Sequence, residues 1–239
     1  MKKAIRKTNT KFSGLCLETL ETKIVSLVLC RMATEMEIKN KILQAAFKLF
    51  MRNGIKSVSM DDIALSLGVS KKTLYRWFEN KDQLVSAMLQ EHLGKMEADC
   101  CHFCTEAKNA IEELFQIMQM IRQQMAGMHP SVFYDLQKYH QPAWQIWTTH
   151  KNKFIMQQII RNLQAGIEQG LYRTDFDLEI MARLRLAQIE DIYNPELFPP
   201  DKFDLQKVQL ATIEHFMRGI ASLKGHKLIN TYKQVVEQE

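Results

Sequence analysis

Residues that form turns are rare in this chain: nine glycines and five prolines are spread over 239 residues. Sheet-rich folds need these residues at their many tight turns and hairpins, so their scarcity argues against such folds. Apolar residues instead recur at steps of three and four, which is the spacing of one face of an α-helix. The sequence therefore predicts an all-α fold in which long helices are joined by few, short loops.

The first strongly periodic segment begins at Thr34. Its apolar residues fall on one helical face and are Ile38, Ile42, Ala45, Ala46, Leu49 and Phe50. The pair Asn53-Gly54 predicts the end of this helix, because glycine readily adopts the left-handed conformation of a C-cap. Residues 1–33 are expected to be a disordered or mis-called N-terminal extension, with Met32 as the alternative start. If this extension is made, a basic arm that touches DNA is the open alternative.

Two short helices are predicted next, at residues 60–67 and 71–78. Ser59 and Ser70 stand directly before them, where a hydroxyl side chain caps the first free backbone N–H groups. Gly68 lies between the two helices and supplies a tight turn. Two short helices joined in this way form a helix-turn-helix, a unit whose second helix enters the major groove of DNA.

The second of these short helices has an inner and an outer face. Leu74 and Phe78 are four residues apart and are predicted to pack inward. No acidic residue lies between Asp62 and Glu79 in the sequence, so no negative charge repels phosphate there. The first turn of a recognition helix is the part that meets base edges. The outer face holds Lys71, Lys72, Thr73, Tyr75, Arg76 and Trp77.

The residues around these helices resemble the signature of the TetR family of helix-turn-helix repressors. The matching stretches are Ser59-Met60-Asp61-Asp62-Ile63-Ala64, Leu67-Gly68-Val69-Ser70-Lys71-Lys72-Thr73-Leu74-Tyr75-Arg76-Trp77-Phe78 and Asn80-Lys81-Asp82-Gln83-Leu84. The resemblance covers residues 39–88 and joins several features at fixed spacing. The chain departs from the family's pattern at Lys72, where glycine is frequent. An additional DNA contact and a different fit in the groove are both open there.

The resemblance implies which residues contact DNA. Tyr75 and Lys81 are expected to contact phosphates. Ser59 and Thr73 are expected to contact the DNA backbone or bases. Lys71, Lys72 and Arg76 are candidates for base and phosphate contacts. The full set expected at the interface is Ser59, Ser70, Lys71, Lys72, Thr73, Tyr75, Arg76, Trp77 and Lys81.

The resemblance also implies a domain organisation and a function. Residues 34–84 are expected to form a three-helix DNA-binding domain, and residues 85–239 a helical domain for dimerisation and ligand sensing. The chain is then a sequence-specific transcriptional regulator, by family default a repressor that a small-molecule ligand releases from DNA. A homodimer is expected to read a palindromic operator in double-stranded DNA through residues 71–78 of each protomer. Two linked DNA-binding domains bind more tightly than one, because each strengthens the weak contact of the other.

Helical patterns continue along the rest of the chain and break at glycines and prolines. The predicted helices are residues 81 to beyond 96, 107–125, 130–140, 143–169, 178–193 and 205–223, and residues 224–239 are either helical or frayed. The resemblance assigns the last two helices before this tail to a dimer interface. The apolar residues assigned to that interface are Leu178, Met181, Ala182, Leu205, Val208, Phe216, Ile220 and Leu223.

The middle helices are rich in methionine and aromatic residues. Methionine adapts to irregular apolar surfaces, and tyrosine and tryptophan add a polar group to an apolar wall. The resemblance implies a cavity there for a small hydrophobic ligand, although such stripes are also typical of an ordinary core. The residues expected to line it are Met118, Met125, Phe133, Tyr134, Tyr139, Trp144 and Trp147. His140, His150 and Arg161 are candidates to orient a polar ligand group, with a surface position or internal pairing as the alternative.

The five cysteines do not form the pattern of a disulfide framework, because their number is odd and three of them cluster at Cys100, Cys101 and Cys104. With Cys16 and Cys30 they indicate a reducing cytosol. Cys100 and Cys104 are one helical turn apart, but the second ligand pair that zinc sites use is absent. Apolar packing is therefore favoured over a metal or redox site, and neither a metal nor a cofactor is expected.

The net charge of +5 lies in residues 1–31, which hold seven Lys/Arg and two Glu. Residues 32–90 hold nine basic and six acidic residues, whereas residues 91–239 hold 16 basic and 19 acidic residues. The N-terminal part of the chain is therefore mildly basic and the remainder mildly acidic. This charge distribution suits a protein whose N-terminal part binds the phosphates of DNA. The apolar run at residues 24–30 is too short to span a membrane, so a cytoplasmic protein without a membrane partner is expected.

Two other classes of protein compete with a regulator. An enzyme is disfavoured because the sequence contains no phosphate-binding loop, dinucleotide fingerprint, zinc-protease motif or nucleophile elbow. A structural or adaptor protein is the second competitor, and protection of a specific DNA fragment would distinguish a regulator from it. The prediction from sequence is a regulator that is not an enzyme.

Overall fold

The computed structural model describes the backbone of residues 15–236, together with the side chains of Val25 and residues 35–234. Over this range the chain is all-α, which confirms the predicted fold class. The helices are α1 (Leu15–Asn53), α2 (Met60–Leu67), α3 (Lys71–Trp77), α4 (Lys81–Glu106), α5 (Ala110–Met125), α6 (Val132–Tyr139), α7 (Gln141–His150), α8 (Met156–Glu168), α9 (Leu178–Asp191), α10 (Leu205–Ile220) and α11 (Leu223–Val236). A π-helical turn, Lys151–Ile155, joins α7 to α8.

Helix α1 begins at Leu15, earlier than the periodic pattern at Thr34 predicts. Residues 15–33 contain no glycine or proline, so nothing in them interrupts a helix, and their backbone is helical where a disordered extension was expected. The basic residues before Leu15, and the side chains of Cys16 and Cys30, lie outside the described residues. The chain divides into two compact units between Ile42 and Leu43, and the predicted domain limits stay predictions.

Local capping explains why α2 and α3 are so short and so well defined. The Ser59 hydroxyl accepts a hydrogen bond from the backbone N–H of Asp62 at 3.2 Å, and the Asp62 carboxylate accepts one from the Ser59 N–H at 2.7 Å. This capping box starts α2, and Gly68 ends it with a φ of 65°. The Ser70 hydroxyl then accepts from the Thr73 N–H at 3.1 Å and starts α3. Both helices begin where the sequence predicts.

A hydrophobic core formed by α5, α8, α9, α10 and α11 closes around Tyr172, which follows α8. The Tyr172 hydroxyl donates to the Asn162 side-chain oxygen at 2.9 Å. The Asn162 amide in turn donates to the Ala110 carbonyl and to the Glu113 carboxylate, both at 3.0 Å. Gly166 lies against the Tyr172 ring, since a Cβ at this position would come within 2.0 Å of the ring. The close approach of α8 to the ring therefore requires a glycine.

Helix α10 ends at Ile220, three residues before the predicted end, because Ala221 takes an extended conformation. The segment after α8 pairs with this bend: the Arg173 N–H donates to the Ile220 carbonyl at 3.0 Å, and the Ser222 N–H donates to the Leu171 carbonyl at 2.9 Å. The residues after the bend form α11, so the tail is helical up to Val236. Within the described part of the chain, no helix has the length and apolar character needed to cross a membrane.

Replacing Gly166 with alanine is expected to lower the free energy of unfolding by about 1–3 kcal/mol, because the added methyl group has to displace the buried Tyr172 ring. Gly94→Ala, in α4, is the matched control. Nothing lies within 4 Å of a Cβ at Gly94, so this variant should be as stable as the wild type or more stable by up to about 1 kcal/mol. Urea unfolding measures both, and equal stabilities of the two variants would contradict the packing argument.

Candidate nucleic-acid interface and apolar cavity

The two faces of α3 are arranged as the sequence predicts. Leu74 is fully buried and Phe78 nearly so, and both belong to the core under the helix. Four of the outer residues are exposed and two are half-buried: Lys71, Lys72, Tyr75 and Arg76 are exposed, and Thr73 and Trp77 are half-buried. The outward face therefore combines basic groups with two aromatic rings, the kind of surface that contacts phosphates and bases.

The two lysines at the start of α3 differ in their surroundings. Lys71 forms an ion pair with Asp61 of α2 at 2.9 Å, and its ammonium lies 5.8 Å from the centre of the Tyr75 ring. The hydrogen bond to Asp61 raises the pKa of Lys71, so this lysine stays protonated. Lys72 forms no ion pair or hydrogen bond with any residue of the described range, so its charge is directed at solvent.

Ser59 and Ser70, which the resemblance places at the DNA interface, are both engaged as helix caps. The Ser59 hydroxyl also donates to the Asp62 carboxylate at 2.7 Å, and these hydrogen bonds lower the pKa of Asp62. The hydroxyls of Ser70 and Thr73 lie 2.8 Å apart. Both serines are exposed, so each keeps room for a second partner, and their contacts to DNA stay predictions.

Lys81, expected at a phosphate, makes a bond inside the protein that the sequence did not predict. Its ammonium donates to the Ile55 carbonyl at 2.5 Å and lies 5.7 Å from the centre of the Phe50 ring. Partial burial lowers the pKa of Lys81. The side chain therefore ties the start of α4 to the loop between α1 and α2. An ammonium group has three N–H donors, so the predicted phosphate contact would use another of them.

A largely apolar cavity of about 210 Å³ lies in the second unit. Its wall is formed by residues of α1, by residues of α4 through α10, and by the turns between them. Three of the seven residues predicted to line it do so, namely Met125, Phe133 and Trp147. Of the polar candidates, His150 lines the cavity, whereas His140 and Arg161 do not.

The other four predicted residues lie elsewhere. Tyr134 and Tyr139 are exposed, and their hydroxyls accept hydrogen bonds from Lys138 at 2.6 Å and Lys56 at 3.2 Å. Met118 packs against the core around Tyr172. Trp144 is half-buried, because α7 turns its Ala143, Trp147 and His150 positions inward instead. Helical periodicity identified the right helices but did not give the rotation of each one.

Besides His150, which the sequence predicts as a candidate, the cavity wall includes polar residues that sequence reasoning missed. Glu113 binds the Arg161 guanidinium and the Asn162 amide, so its buried charge is compensated. His150 is hydrogen-bonded to Glu97 at 2.9 Å, yet burial lowers its pKa. Arg185 of α9 is only 4% exposed, and burial lowers its pKa to about 10. No motif or spacing marked Glu113 or Arg185, because these positions come together only when distant helices pack.

The cysteine cluster contributes one residue to the cavity. Cys100 lines it, and burial raises the pKa of this thiol to about 11, so it is neutral and weakly nucleophilic. Cys101 is exposed and Cys104 half-buried, and all three are free thiols. Among the residues that the structure describes, no group of three or more His, Cys, Asp or Glu side chains is placed to hold a metal ion.

The apolar residues assigned to a dimer interface are largely buried within the chain itself. Ala182, Phe216 and Ile220 belong to the core around Tyr172, and Leu178 and Met181 pack against that core. Val208 is also buried, Leu205 is half-buried, and only Leu223 is strongly exposed. The large apolar side chains that α9 exposes are instead Ile180 and Leu184, which are 55% and 52% exposed. The amphipathic pattern therefore marked the inner faces of α9 and α10.

Comparisons with known proteins agree with this architecture. A family model described as "Bacterial regulatory proteins, tetR family" matches residues 42–88, which hold the end of α1, α2, α3 and the start of α4. Over 187 residues the chain is 27% identical to YvaF, an uncharacterized HTH-type transcriptional regulator of Bacillus subtilis, and the match covers 76% of this chain and 95% of YvaF. Over 148 residues it is 25% identical to the HTH-type transcriptional repressor KstR2 of Mycolicibacterium smegmatis, which covers 61% and 72% of the two chains.

A solved structure extends the likeness over the whole fold. A TetR-family transcriptional regulator from Agrobacterium tumefaciens has a TM-score of 0.64 to this chain, at 18% sequence identity. The match covers 78% of this chain and 99% of that one. The match to the family model falls on the capped helices and the basic outer face of α3, and the shared fold includes the helices behind them. Residues 42–88 match the DNA-binding domain of the TetR family, and the chain as a whole resembles helix-turn-helix transcriptional regulators of that family.

Proposed function

We propose that the chain is a transcriptional repressor whose hold on operator DNA is weakened when a small molecule occupies the cavity. One observation carries the proposal: Met51 and Ile55, at the end of α1 and in the loop before α2, line the cavity themselves. A ligand in the cavity would therefore contact the segment from which the DNA-reading helices project. The related KstR2 is named a repressor, which supports repression as the direction of control.

DNA binding is the task of α3 and the elements around it. The basic and aromatic outer face would enter a major groove, with Lys72 and Thr73 in the first turn near base edges. Tyr75 and Lys81 would contact phosphates, which position the protein without reading sequence. The proposal assigns no reaction to the chain and places it in the cytoplasm, where a DNA-binding regulator acts.

Helix α6 is the element that would carry the ligand signal. Phe133 and Leu136 line the cavity, whereas Asp135, on the same helix, accepts a hydrogen bond from the Lys56 N–H at 2.8 Å. The His129 N–H, just before α6, donates to the Met51 carbonyl at 2.6 Å. A shift of α6 on ligand binding would therefore move the loop between α1 and α2.

A second contact connects the start of α4, which directly follows the helix-turn-helix, to the cavity wall. His140, between α6 and α7, is buried and hydrogen-bonded to Asp82 in the first turn of α4. Helix α4 also carries cavity residues such as Met88 and His92. Two arrangements of α4 and α6 would give two different distances between the α3 helices of a dimer. The ligand shifts the balance only if it binds one arrangement more tightly than the other.

A homodimer is part of the proposal. Its interface is proposed on the exposed side of α9 and α10, because the apolar residues that the resemblance assigned to it are largely buried within the chain. Ile180, Leu184 and Ala187 follow one another at helical spacing on α9, and all are exposed. On α10 the exposed Ala211 and Gly219 are small enough to allow close approach of a partner helix. Exposed apolar residues at such spacing are typical of a protein interface.

The experiment that tests the proposal is a gel-shift titration of the full chain against DNA from upstream of its own gene. It is run at two salt concentrations with a scrambled competitor, and footprinting then locates the operator. Salt-sensitive binding that survives the competitor supports a sequence-specific regulator. Absence of any DNA binding would contradict the proposal.

Lys72→Ala is expected to weaken DNA binding and to lower the slope of log affinity against log salt by about 1 if the lysine contacts a phosphate. If it contacts a base edge, the loss is about 1–3 kcal/mol and is confined to the specific sequence. Fluorescence anisotropy with specific and scrambled duplexes measures both quantities. Lys227→Ala, at an exposed position of α11, is the control and should bind as the wild type does. Wild-type affinity and salt slope in Lys72→Ala would contradict its place at the interface.

Leu184→Asp is expected to convert the dimer to a monomer, because it places a charge in the proposed apolar interface while the residue is 52% exposed in the single chain. Its fold should therefore survive, which circular dichroism checks. Leu197→Asp, 53% exposed in the loop before α10, is the matched control and should remain dimeric. Analytical ultracentrifugation gives the mass of each, and a dimeric Leu184→Asp protein would place the interface elsewhere.

A further inference from the structure

We propose that the cavity takes an anionic amphiphile, whose carboxylate pairs with Arg185 and whose hydrocarbon body fills the apolar remainder. This inference rests on the proposed function, because it names the class of ligand for the same cavity. It does not depend on how a bound ligand affects DNA.

The Arg185 guanidinium is buried without an opposite charge. Arg185 lines the cavity, and the residue is only 4% exposed. No carboxylate in the described part of the chain forms an ion pair with it. Its contacts are a long hydrogen bond of 3.4 Å to the Gln188 side chain and a position 5.5 Å from the centre of the Phe216 ring. Buried charges in proteins are nearly always paired, so this group is prepared for a partner that comes from outside the chain.

The other charged groups along the wall already have partners. The Glu113 carboxylate binds Arg161 and Asn162, and His150 is held by Glu97. His92 is buried, which lowers its pKa and favours the neutral ring. An entering anion would therefore meet one uncompensated positive charge, at Arg185, and an entering cation would meet no uncompensated negative charge among the described lining residues.

Neutral hydrogen-bond donors line the cavity along with this arginine. Tyr193, in the turn that follows α9, and Gln209, on α10, are both lining residues, and the Tyr193 hydroxyl donates to the Gln209 side-chain oxygen at 3.4 Å. Burial raises the pKa of Tyr193, so the phenol keeps its proton. A guanidinium matches the two oxygens of a carboxylate with two parallel hydrogen bonds. One positive charge with neutral donors suits a monoanion better than a phosphate dianion.

The rest of the wall selects the body of the ligand. Most lining residues are Met, Ile, Leu, Phe or Trp, contributed by helices on every side of the cavity. These apolar side chains gain free energy by burying hydrocarbon and offer no hydrogen bonds to a polar body. A volume of about 210 Å³ limits that body to a chain or ring system of moderate size. Decanoate is therefore a suitable probe.

The test compares binding of decanoate, decanol and decyltrimethylammonium to the full chain by isothermal titration calorimetry. The wild type should prefer decanoate over both other compounds. Arg185→Met should lose decanoate affinity by about ten- to a hundredfold, the range expected for hydrogen bonds to a charged group, while decanol affinity is unchanged or higher. Arg183→Met is the matched control, since Arg183 lies on the same helix, is exposed and pairs with Glu179 at 2.7 Å.

Thermal melting provides a second readout that does not need a ligand. Replacing an unpaired buried charge with an apolar side chain of similar length should leave the melting temperature of Arg185→Met unchanged or raise it. A sharp fall would show that Arg185 serves the fold and would overturn the proposal. Undiminished decanoate binding by Arg185→Met would also overturn it. So would the absence of decanoate binding to the wild type at concentrations up to about 1 mM, the weak end of specific affinity.

The proposed function is tested separately, by repeating the DNA titration with decanoate present. Decanoate that binds through Arg185 but leaves DNA affinity unchanged would support the ligand class and contradict ligand-controlled repression. DNA binding that decanoate weakens in the wild type and not in Arg185→Met would support both. Decanoate binding that does not depend on Arg185 would overturn the proposed ligand class, and the proposal that the chain binds DNA would be unaffected.

Discussion

The close contact between Gly54 and the residues at the start of α6 is the constraint on which the rest of the structure depends. It connects the loop before the helix-turn-helix, α2 and α3, to the helices that line the cavity. Gly54 has a φ of 81°, and a Cβ there would lie 2.5 Å from the Ser131 hydroxyl and 3.3 Å from the Asp135 carboxylate. Only glycine allows both the left-handed backbone and the close approach of α6. The Asp135 carboxylate then accepts from the Lys56 N–H and the Ser131 hydroxyl, so its buried charge is satisfied by the loop that follows Gly54.

How far the sequence predicts this structure depends on how local the determining interactions are. Helices α2 and α3 begin as predicted because Ser59 and Ser70 cap them within three residues. The end of α1 is equally local, because Gly54 terminates it. The start of α1 and the end of α10 were predicted less well. The bend at Ala221 is stabilised by hydrogen bonds to a segment about 50 residues away, and such contacts leave no periodic pattern.

The candidate sites show the same difference. The outer face of α3 could be predicted because one helix carries all of it. The cavity takes residues from many helices, so the sequence identified a methionine-rich and aromatic region but not which side chains face inward. Phe133 lines the cavity and the adjacent Tyr134 is 43% exposed, a distinction that depends on how α6 is rotated by its docking at Gly54. On α9 the strongest apolar stripe marked the core, and the exposed residues Ile180 and Leu184 were missed.

Helix α9 connects the two proposals physically. Its inner face carries Ala182 in the core and Arg185 at the cavity, and its outer face carries the exposed Ile180 and Leu184, where the proposed partner protomer would pack. Neutralising Arg185 with a bound carboxylate removes the cost of a buried charge in the occupied state alone, so binding favours whichever position of α9 brings the guanidinium to the ligand. A displacement of α9 would be transmitted to the proposed partner protomer through the same helix. The charge of the ligand would then affect the distance between the two α3 helices of the proposed dimer, without any contact between the ligand and α3.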